Sequence, residues 1–364
     1  MKNIMWTYMD EQPHVLTKLL DSKDVEEVVS SIPLSKLENI VFVASGSSNN
    51  ICRAAKGFIE KIAGTNVSVM YPFEFDNDIR LLHKFPIMHS LIVGISQTGT
   101  STGTYRSLVR AKGFNFETLT LTEQRETPVK EIGDHYLNFM CGAEICNAKT
   151  KGYSASLVLL HLIGIEIGVN RGMVDVHKKQ VLIEELRESI NEIPNVIAQT
   201  IAWIDRNQSW RCASSLMVIG HGDHYATAIE GALKLSETLC IPAVACDVDE
   251  YAHGYHRILD EDSYVILIEG DGNGKDKIQK TIEYVRQKTK NHLIIRTSMD
   301  ESIPYDEIQV KCHHNINSTL TAVIVFQVLS IAIPELLGVD PNAEKNALYL
   351  KYLKTSINGD TISY

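Results

Sequence analysis

Two apolar periods alternate along the chain. Short continuous runs rich in β-branched residues occur at Asn39–Ala44, Val67–Tyr71, Ser90–Ile95, Phe116–Leu121 and Tyr136–Phe139, the pattern of strands buried on both faces. Amphipathic segments at Ile51–Ile62 and Thr102–Lys112 fall between them, and a long, largely apolar helix at Lys151–Val169 closes the series. Ahead of the first strand, Met1–Ser22 reads as a helical arm interrupted at Glu11-Gln12-Pro13, and Val25–Ile32 as a further short helix.

Gly172–Gln208 has helical period, dense charge and no strand signal. The earlier pattern then restarts. Strands are predicted at Ser215–Ile219, Ala243–Cys246, Ser263–Glu269, His292–Thr297 and Glu307–Val310, helices at Tyr225–Thr238 and Asp276–Thr289, and a closing apolar helix at Leu320–Leu337. Alternation of this kind predicts the α/β class, and its restart predicts two tandem doubly wound parallel-sheet domains. The expected division is an N-terminal arm at 1–24, a first domain at 25–170, a helical connector at 171–208, a second domain at 209–340 and a C-terminal tail at 341–364. The halves share a plan, a weak internal repeat visible in pattern more than in identity.

Within that plan, Val41–Asn50 is a strand that ends in a Ser/Gly loop and feeds a helix. Backbone N–H groups and the helix dipole favour an anion at such a point. Leu91–Ser101 repeats the device. Ser47, Ser48, Ser96, Gln97, Thr98 and Ser101 supply hydroxyl and amide donors, while Gly46 and Gly99 allow the backbone to approach a ligand. One such loop could equally be ordinary helix capping. Two at strand ends, where doubly wound sheets open, point to a phosphate held from two sides. The matching loop of the second half, Gly220-His221-Gly222-Asp223, is not hydroxyl-rich, so a duplicated fold would keep its phosphate site in the first half.

The net charge of −10 and pI near 5.7 argue against nucleic acid or an acidic membrane as partner. No secretory or transit signal is read at the N-terminus, and the apolar stretch Ala155–Val169 is broken by His161 and Glu166. The seven cysteines (Cys52, Cys141, Cys146, Cys212, Cys240, Cys246, Cys312) form no CxxC pair. They are expected to be reduced, mostly buried thiols of a cytoplasmic protein.

Two further groups carry chemistry. Glu230, Lys234 and Glu237 project from one helix face at i, i+4 and i+7. They read either as a solvated ladder or as a general base beside a lysine at a cleft rim, with Ile229, Ala232, Leu233 and Leu235 packing inward. Glu250-Tyr-Ala-His253-Gly-Tyr-His256 puts an imidazole in a loop between elements, catalytic or merely exposed. The pairs His253/His256 and His221/His224 have metal-compatible spacing, but no carboxylate or cysteine completes either set, so no metal is expected.

Taken together these residues resemble tandem sugar-isomerase (SIS) domains with flavodoxin-like sheets. Examples are the isomerase half of glucosamine-6-phosphate synthase, the related glucosamine-6-phosphate deaminases, and the fructosamine-6-phosphate deglycases. The resemblance covers almost the whole chain. It rests on Glu11-Gln-Pro13, Ser45-Gly-Ser-Ser48, Ser96-Gln-Thr-Gly-Thr-Ser101, Ala143–Lys151, Glu230-Gly-Ala-Leu-Lys-Leu-Ser-Glu237 and His253-Gly254. It implies that Gly46, Ser47, Ser48, Ser96, Gln97, Thr98 and Ser101 bind a sugar phosphate. Glu237 would be the base moving a proton between C1 and C2, with Glu230 and Lys234 as helpers. Asn147, Lys149 and Glu250 would be substrate contacts. His253 would reach over from a second subunit of a homodimer, and no cofactor would be needed.

Three departures qualify the resemblance. There is no glutamine amidotransferase domain, so glutamine-dependent synthesis by this chain alone is not expected. Tyr255 replaces the proline that often follows His-Gly. The tail, Asp340-Pro-Asn-Ala-Glu-Lys, lacks the family's proline-arginine, which leaves Lys351 and Lys354 as alternative tail lysines. The expected activity is cleavage or isomerisation of an amine-bearing sugar phosphate. The alternatives are a non-catalytic sugar-phosphate sensor and a glutamine-independent glucosamine-6-phosphate synthase or isomerase. A nucleotide-binding protein is a third reading, but neither a G-x-G-x-x-G nor a P-loop match supports it.

Overall fold

The short apolar runs form two all-parallel sheets. In the computed structural model, which describes residues 3–77, 86–297, 304, 306–311, 318–343 and 345–357, the first sheet contains β1 (Asn39–Val43), β2 (Asn66–Met70), β3 (Ser90–Ile95), β4 (Glu117–Thr122) and β5 (His135–Asn138), ordered β2-β1-β3-β4-β5. The second contains β6 (Leu216–Gly220), β7 (Ala243–Asp247), β8 (Val265–Glu269), β9 (His292–Arg296) and β10 (Ile308–Gln309), ordered β7-β6-β8-β9-β10. Counted within each half, both are the same 2-1-3-4-5 arrangement, so the repeat seen in the pattern is a repeat of topology. Central strands β1, β3, β6 and β8 are buried at every position, because helices cover both faces.

The described helices are α1 (Ile4–Leu20), α2 (Asp24–Ser31), α3 (Ser47–Ala63), α4 (Pro72–Asn77), α5 (Thr102–Gly113), α6 (Pro128–Ile132), α7 (Lys151–Asn170), α8 (Val176–Arg206), α9 (Asp223–Leu239), α10 (Val248–Ala252), α11 (Lys275–Lys288), α12 (Ser318–Leu336) and α13 (Ala347–Leu353). Helices α7 and α12 are long and apolar enough to cross a membrane, yet both are core helices, buried over 94% and 83% of their apolar length. The chain divides into two compact units. One comprises 15–144, 152–183 and 344–364 and holds the first sheet; the other comprises 1–14, 145–151 and 184–343 and holds the second.

Several expectations need correction. Helix α1 is not interrupted at Pro13 but runs through it. A buried stripe of Met5, Met9, Gln12, Leu16 and Leu19 spans its length, and that burial outweighs the one hydrogen bond Pro13 cannot donate. Helix α3 begins at Ser47 rather than Ile51 because Gly46 turns the chain straight into it. The cysteines are less buried than expected: Cys52, Cys141 and Cys246 are buried, Cys146 is intermediate, and Cys212 and Cys240 are exposed. Cys312 lies outside the described residues.

Candidate active site

β1 and β3 are parallel neighbours, with Val43 opposite Gly94, so the loops that leave their C-terminal ends emerge side by side. Gly46 has φ 58° and ψ −139°, a backbone that only glycine adopts without strain. That turn places Ser47 and Ser48, both half-buried, in the first turn of α3. The Gly46 carbonyl accepts the N–H groups of Asn49 and Asn50, at 2.9 and 3.1 Å.

The second loop is held by its own polar groups. Buried Ser96 accepts the Gly99 N–H through its hydroxyl at 3.1 Å, and Gly99 has φ 68°. The Gln97 amide donates to Glu144 at 3.3 Å, and the same carboxylate oxygen accepts the Gly152 N–H at 3.1 Å. Thr98 is exposed, its hydroxyl 2.9 Å from that of Thr100. Ser101 stands at the N-cap of α5 without capping it by side chain. Tail residues instead pair with this loop. Ser356 bridges Ser101 in antiparallel fashion, Thr102 N–H donates to the Thr355 carbonyl at 3.0 Å, and Ile357 N–H donates to the Thr100 carbonyl at 2.7 Å. One first-turn donor of α5 is therefore spent on the tail. Lys354 is exposed, and its carbonyl accepts the Thr102 hydroxyl at 2.9 Å. Lys351 lies in α13, its side chain outside what the structure describes.

In the unit of the second sheet, α9 carries the charged triplet, and here the structure inverts the expected packing. Glu230 and Lys234 are 0% and 1% exposed, while Ile229 and Leu233 are only half-buried; Ala232 and Leu235 are buried as expected. Helix α9 is enclosed by β6, β7 and α12, which leaves Glu230 and Lys234 no route to solvent. Gly231 makes that enclosure possible, since a side chain there would strike the buried ring of Phe326 on α12.

The Lys234 ammonium lies 2.7 Å from Glu237 and 3.5 Å from Glu230. Burial works against the Lys234 cation, but the two carboxylates outweigh it and hold it above the usual lysine range. The Glu237 side chain keeps 33% of its surface exposed. Burial pushes its carboxyl above the usual carboxylate range, Lys234 and Lys149 pull it back, and Glu230 adds to the rise. The result is a carboxylate biased toward accepting a proton, open on one side, and fixed by a buried cation on the other.

The remaining candidates divide. Lys149 is brought within electrostatic reach of Glu237. Asn147 is engaged in holding its own loop, its N–H and amide donating to the Asn342 side chain and carbonyl at 3.2 and 2.8 Å. Glu250 and His253 are exposed, in the first turn and at the C-terminal end of α10, where His253 N–H donates to the Glu250 carbonyl. His221 and His224 are structural. His221 accepts the Gly270 N–H at Nε2 and lies 3.0 Å from the Asn273 carbonyl through Nδ1. His224 Nε2 meets the Thr297 and Ser318 hydroxyls.

Sequence reasoning missed a partly buried network that ties α1 to the start of α7 and to α12. Lys151 pairs with Glu11 at 2.6 Å and lies over the Tyr8 ring, and Gln12 donates to Gln327 at 2.8 Å. The signal available was Glu11-Gln12 inside a helix whose apolar stripe passes through position 12.

Comparison with known proteins agrees with this architecture. The SIS domain family model matches residues 33–165 and 210–332. Glutamine–fructose-6-phosphate aminotransferase [isomerizing] of Xylella fastidiosa (strain Temecula1) is 28% identical over 321 residues, 85% of this chain and 51% of that one. Its counterpart from Thermus thermophilus is 27% identical over 347 residues, 92% and 56%. The chain spans about half the length of the curated relatives it matches. Among solved structures, a Clostridium difficile 630 protein provisionally described as a phosphosugar isomerase superposes with TM-score 0.87 at 26% identity, covering 97% of this chain and 99% of that one. The C-terminal domain of glucosamine-fructose-6-phosphate aminotransferase from Francisella tularensis shares the fold, with TM-score 0.83 at 22% identity and coverage of 94% and 99%. With two matched segments, each built on one of the two parallel sheets, the chain belongs to the SIS domain family of phosphosugar proteins.

Proposed function

We propose that the chain is an enzyme on 6-phosphorylated amino or glycated sugars, with Glu237 as the base that moves a proton between C1 and C2 of the open-chain form. The observation that carries this reading is the Glu230–Lys234–Glu237 cluster. A fully buried ammonium fixes a partly open carboxylate whose proton affinity is raised. Gly46, Ser47, Ser48, Ser96, Gln97, Thr98 and Ser101 hold the phosphate, whose binding energy positions the sugar. Lys354 is the tail lysine favoured, because its segment pairs with the second loop.

For a 1-amino-1-deoxyketose 6-phosphate, Glu237 takes a proton from C1 as the C2 ketone oxygen takes one from water and becomes an enol. Return of the first proton to C2, with loss of the N–H proton to water, leaves an imine at C1, which adds one water and releases the amine. Substrate and water thus become an aldose 6-phosphate and an amine. A 2-amino-aldose 6-phosphate runs the same shift in the opposite sense and releases ammonia. The protein acts as a homodimer in which exposed His253 serves the other copy's site.

The test is turnover of glucosamine 6-phosphate and fructosyl-amino-acid 6-phosphates, followed by mass spectrometry. Glu237→Gln should abolish turnover and retain sugar-phosphate binding, and an equal mixture of Glu237→Gln and His253→Ala proteins should regain part of the activity. Retained turnover in Glu237→Gln, or lost binding, refutes the base assignment. An inactive wild type that still binds sugar phosphates would be a sensor instead.

A further inference from the structure

We propose that the cavity at the C-terminal edge of the second sheet is a further binding site, which takes the neutral ribose diol of a nucleoside on the Asp247 carboxylate. The site is distinct from the candidate active site. It lies at the first turn of α9, whereas Glu237 stands in the last turn, about 20 Å along the same helix.

The chain leaves β6 toward β7 and leaves β8 toward β9, in opposite directions along the sheet. Doubly wound sheets receive ligands in the crevice at that reversal. Here a cavity of about 430 Å³ opens between Gly222 at the head of α9, Gly272 and Gly274 before α11, and Asp247 at the end of β7. Gly222 has φ 54° and ψ −132°, against 58° and −139° at Gly46, so the second sheet repeats the backbone turn of the first loop. A side chain added at Gly222 or Gly272 would begin with no atom within 4 Å, which leaves both stretches of backbone open to a ligand. What differs from the first sheet is the residue beside the turn. Asp247 lies directly opposite Gly220, whereas the place just beyond the Val43–Met70 pair belongs to Tyr71. Half-buried Asp247 is fixed by one carboxylate oxygen, which accepts the Asp249 N–H at 2.8 Å. Its second oxygen has no partner among the described residues.

Charge decides the class of ligand. The cavity wall carries three carboxylates, Asp247, Asp249 and Asp276, against two ammonium groups, Lys275 and Lys277. Both lysines are already engaged, Lys277 by Asp249 and Lys275 by Asp271 at 2.5 Å. The excess of negative charge repels a phosphate, in contrast to the hydroxyl-lined first loop. Among the described residues no three carboxylate, imidazole or thiol groups are arranged to hold a metal ion. A carboxylate that faces a glycine turn at a strand end accepts two adjacent hydroxyls, the contact by which doubly wound folds hold ribose.

The test is calorimetric titration of the full chain with adenosine, cytidine, uridine and inosine. At least one should bind with a Kd of about 1 mM or tighter. Its 2′,3′-dideoxy counterpart should bind at least about tenfold more weakly, the effect of a lost hydrogen bond to a charged group. Asp247→Asn keeps an oxygen for the Asp249 N–H and removes the charge, so it should weaken the nucleoside by a similar factor without unfolding the chain. Ser47→Ala, in the first sheet's loop, should leave nucleoside binding unchanged, and excess inorganic phosphate should not displace the ligand. Absence of binding by all four nucleosides overturns the proposal, as does equal binding of the dideoxy compound. So does binding that survives Asp247→Asn, that is lost in Ser47→Ala, or that phosphate displaces. None of these readouts depends on turnover, so the proposal stands or falls apart from the role of Glu237.

Discussion

Replacing Lys234 by methionine keeps the volume of the side chain and removes its charge. The ammonium sits 3.5 Å from Glu230 and 2.7 Å from Glu237, with Lys234 and Glu230 each showing 1% of their side-chain surface. Loss of the cation therefore strands the Glu230 carboxylate in a site closed to water. Breaking a buried pair from one side costs about 3–5 kcal/mol, and for a unit of this size that lowers Tm by roughly 6–20 °C. The measurement is convenient, because Trp6, Trp203 and Trp210 all lie in the unit that contains α9, so tryptophan fluorescence during urea unfolding reports that unit alone. Glu230→Gln combined with Lys234→Met should recover much of the loss. A deficit below about 1 kcal/mol, near the value of an exposed pair, or one that Glu230→Gln does not relieve, would refute the buried-pair reasoning.

Two further outcomes are expected. Burial holds the imidazoles of His161 and His224 down to about 3, against an ordinary value near 6.5. The unfolded chain binds those protons first, so stability falls as pH drops from about 6.5 toward about 3, by about 1.4 kcal/mol per pH unit for each ring. His161→Leu should remove one such increment from the slope of urea stability against pH, read by circular dichroism; an unchanged slope would count against it. Gly46→Ala meets no atom within 4 Å but forces alanine to φ 58°, costing about 1–3 kcal/mol and weakening phosphate-ester binding in calorimetry. Gly222→Ala, at φ 54° before α9, should cost similar stability and leave phosphate binding intact. Equal loss of binding in both would show that Gly46 acts only through stability.

The sheets were legible because a strand buried on both faces has to be continuously apolar. The runs at Val41, Ile92, Val218 and Ile266 lie in central strands with no exposed position. The loops followed, since Gly46 and Gly99 stand where the backbone turns positive in φ. The face of α9 was not legible. A charged i, i+4, i+7 row looks solvated by period alone, and only the enclosure by β6, β7 and α12 turns it inward. Pro13 misled for the same reason, because local propensity was overruled by a buried stripe. The Lys151–Glu11 pair and the tail's pairing with Thr100–Thr102 join residues 140 and more than 250 positions apart, which no local pattern encodes.

That interleaving bears on how the protein is made. The unit holding the second sheet includes residues 1–14 and 145–151, and the unit holding the first sheet includes 344–364. A ribosome completes the first sheet while the tail that pairs with Ser101 is still unsynthesised. The buried Gln12 side chain has to wait for Gln327, 315 residues later. Neither half can therefore mature in step with its own synthesis. Cutting the chain between the sheets to express them separately would strip the unit of the second sheet of 1–14 and 145–151, which carry buried side chains such as Met5, Met9 and Thr150, and the unit of the first sheet of its tail.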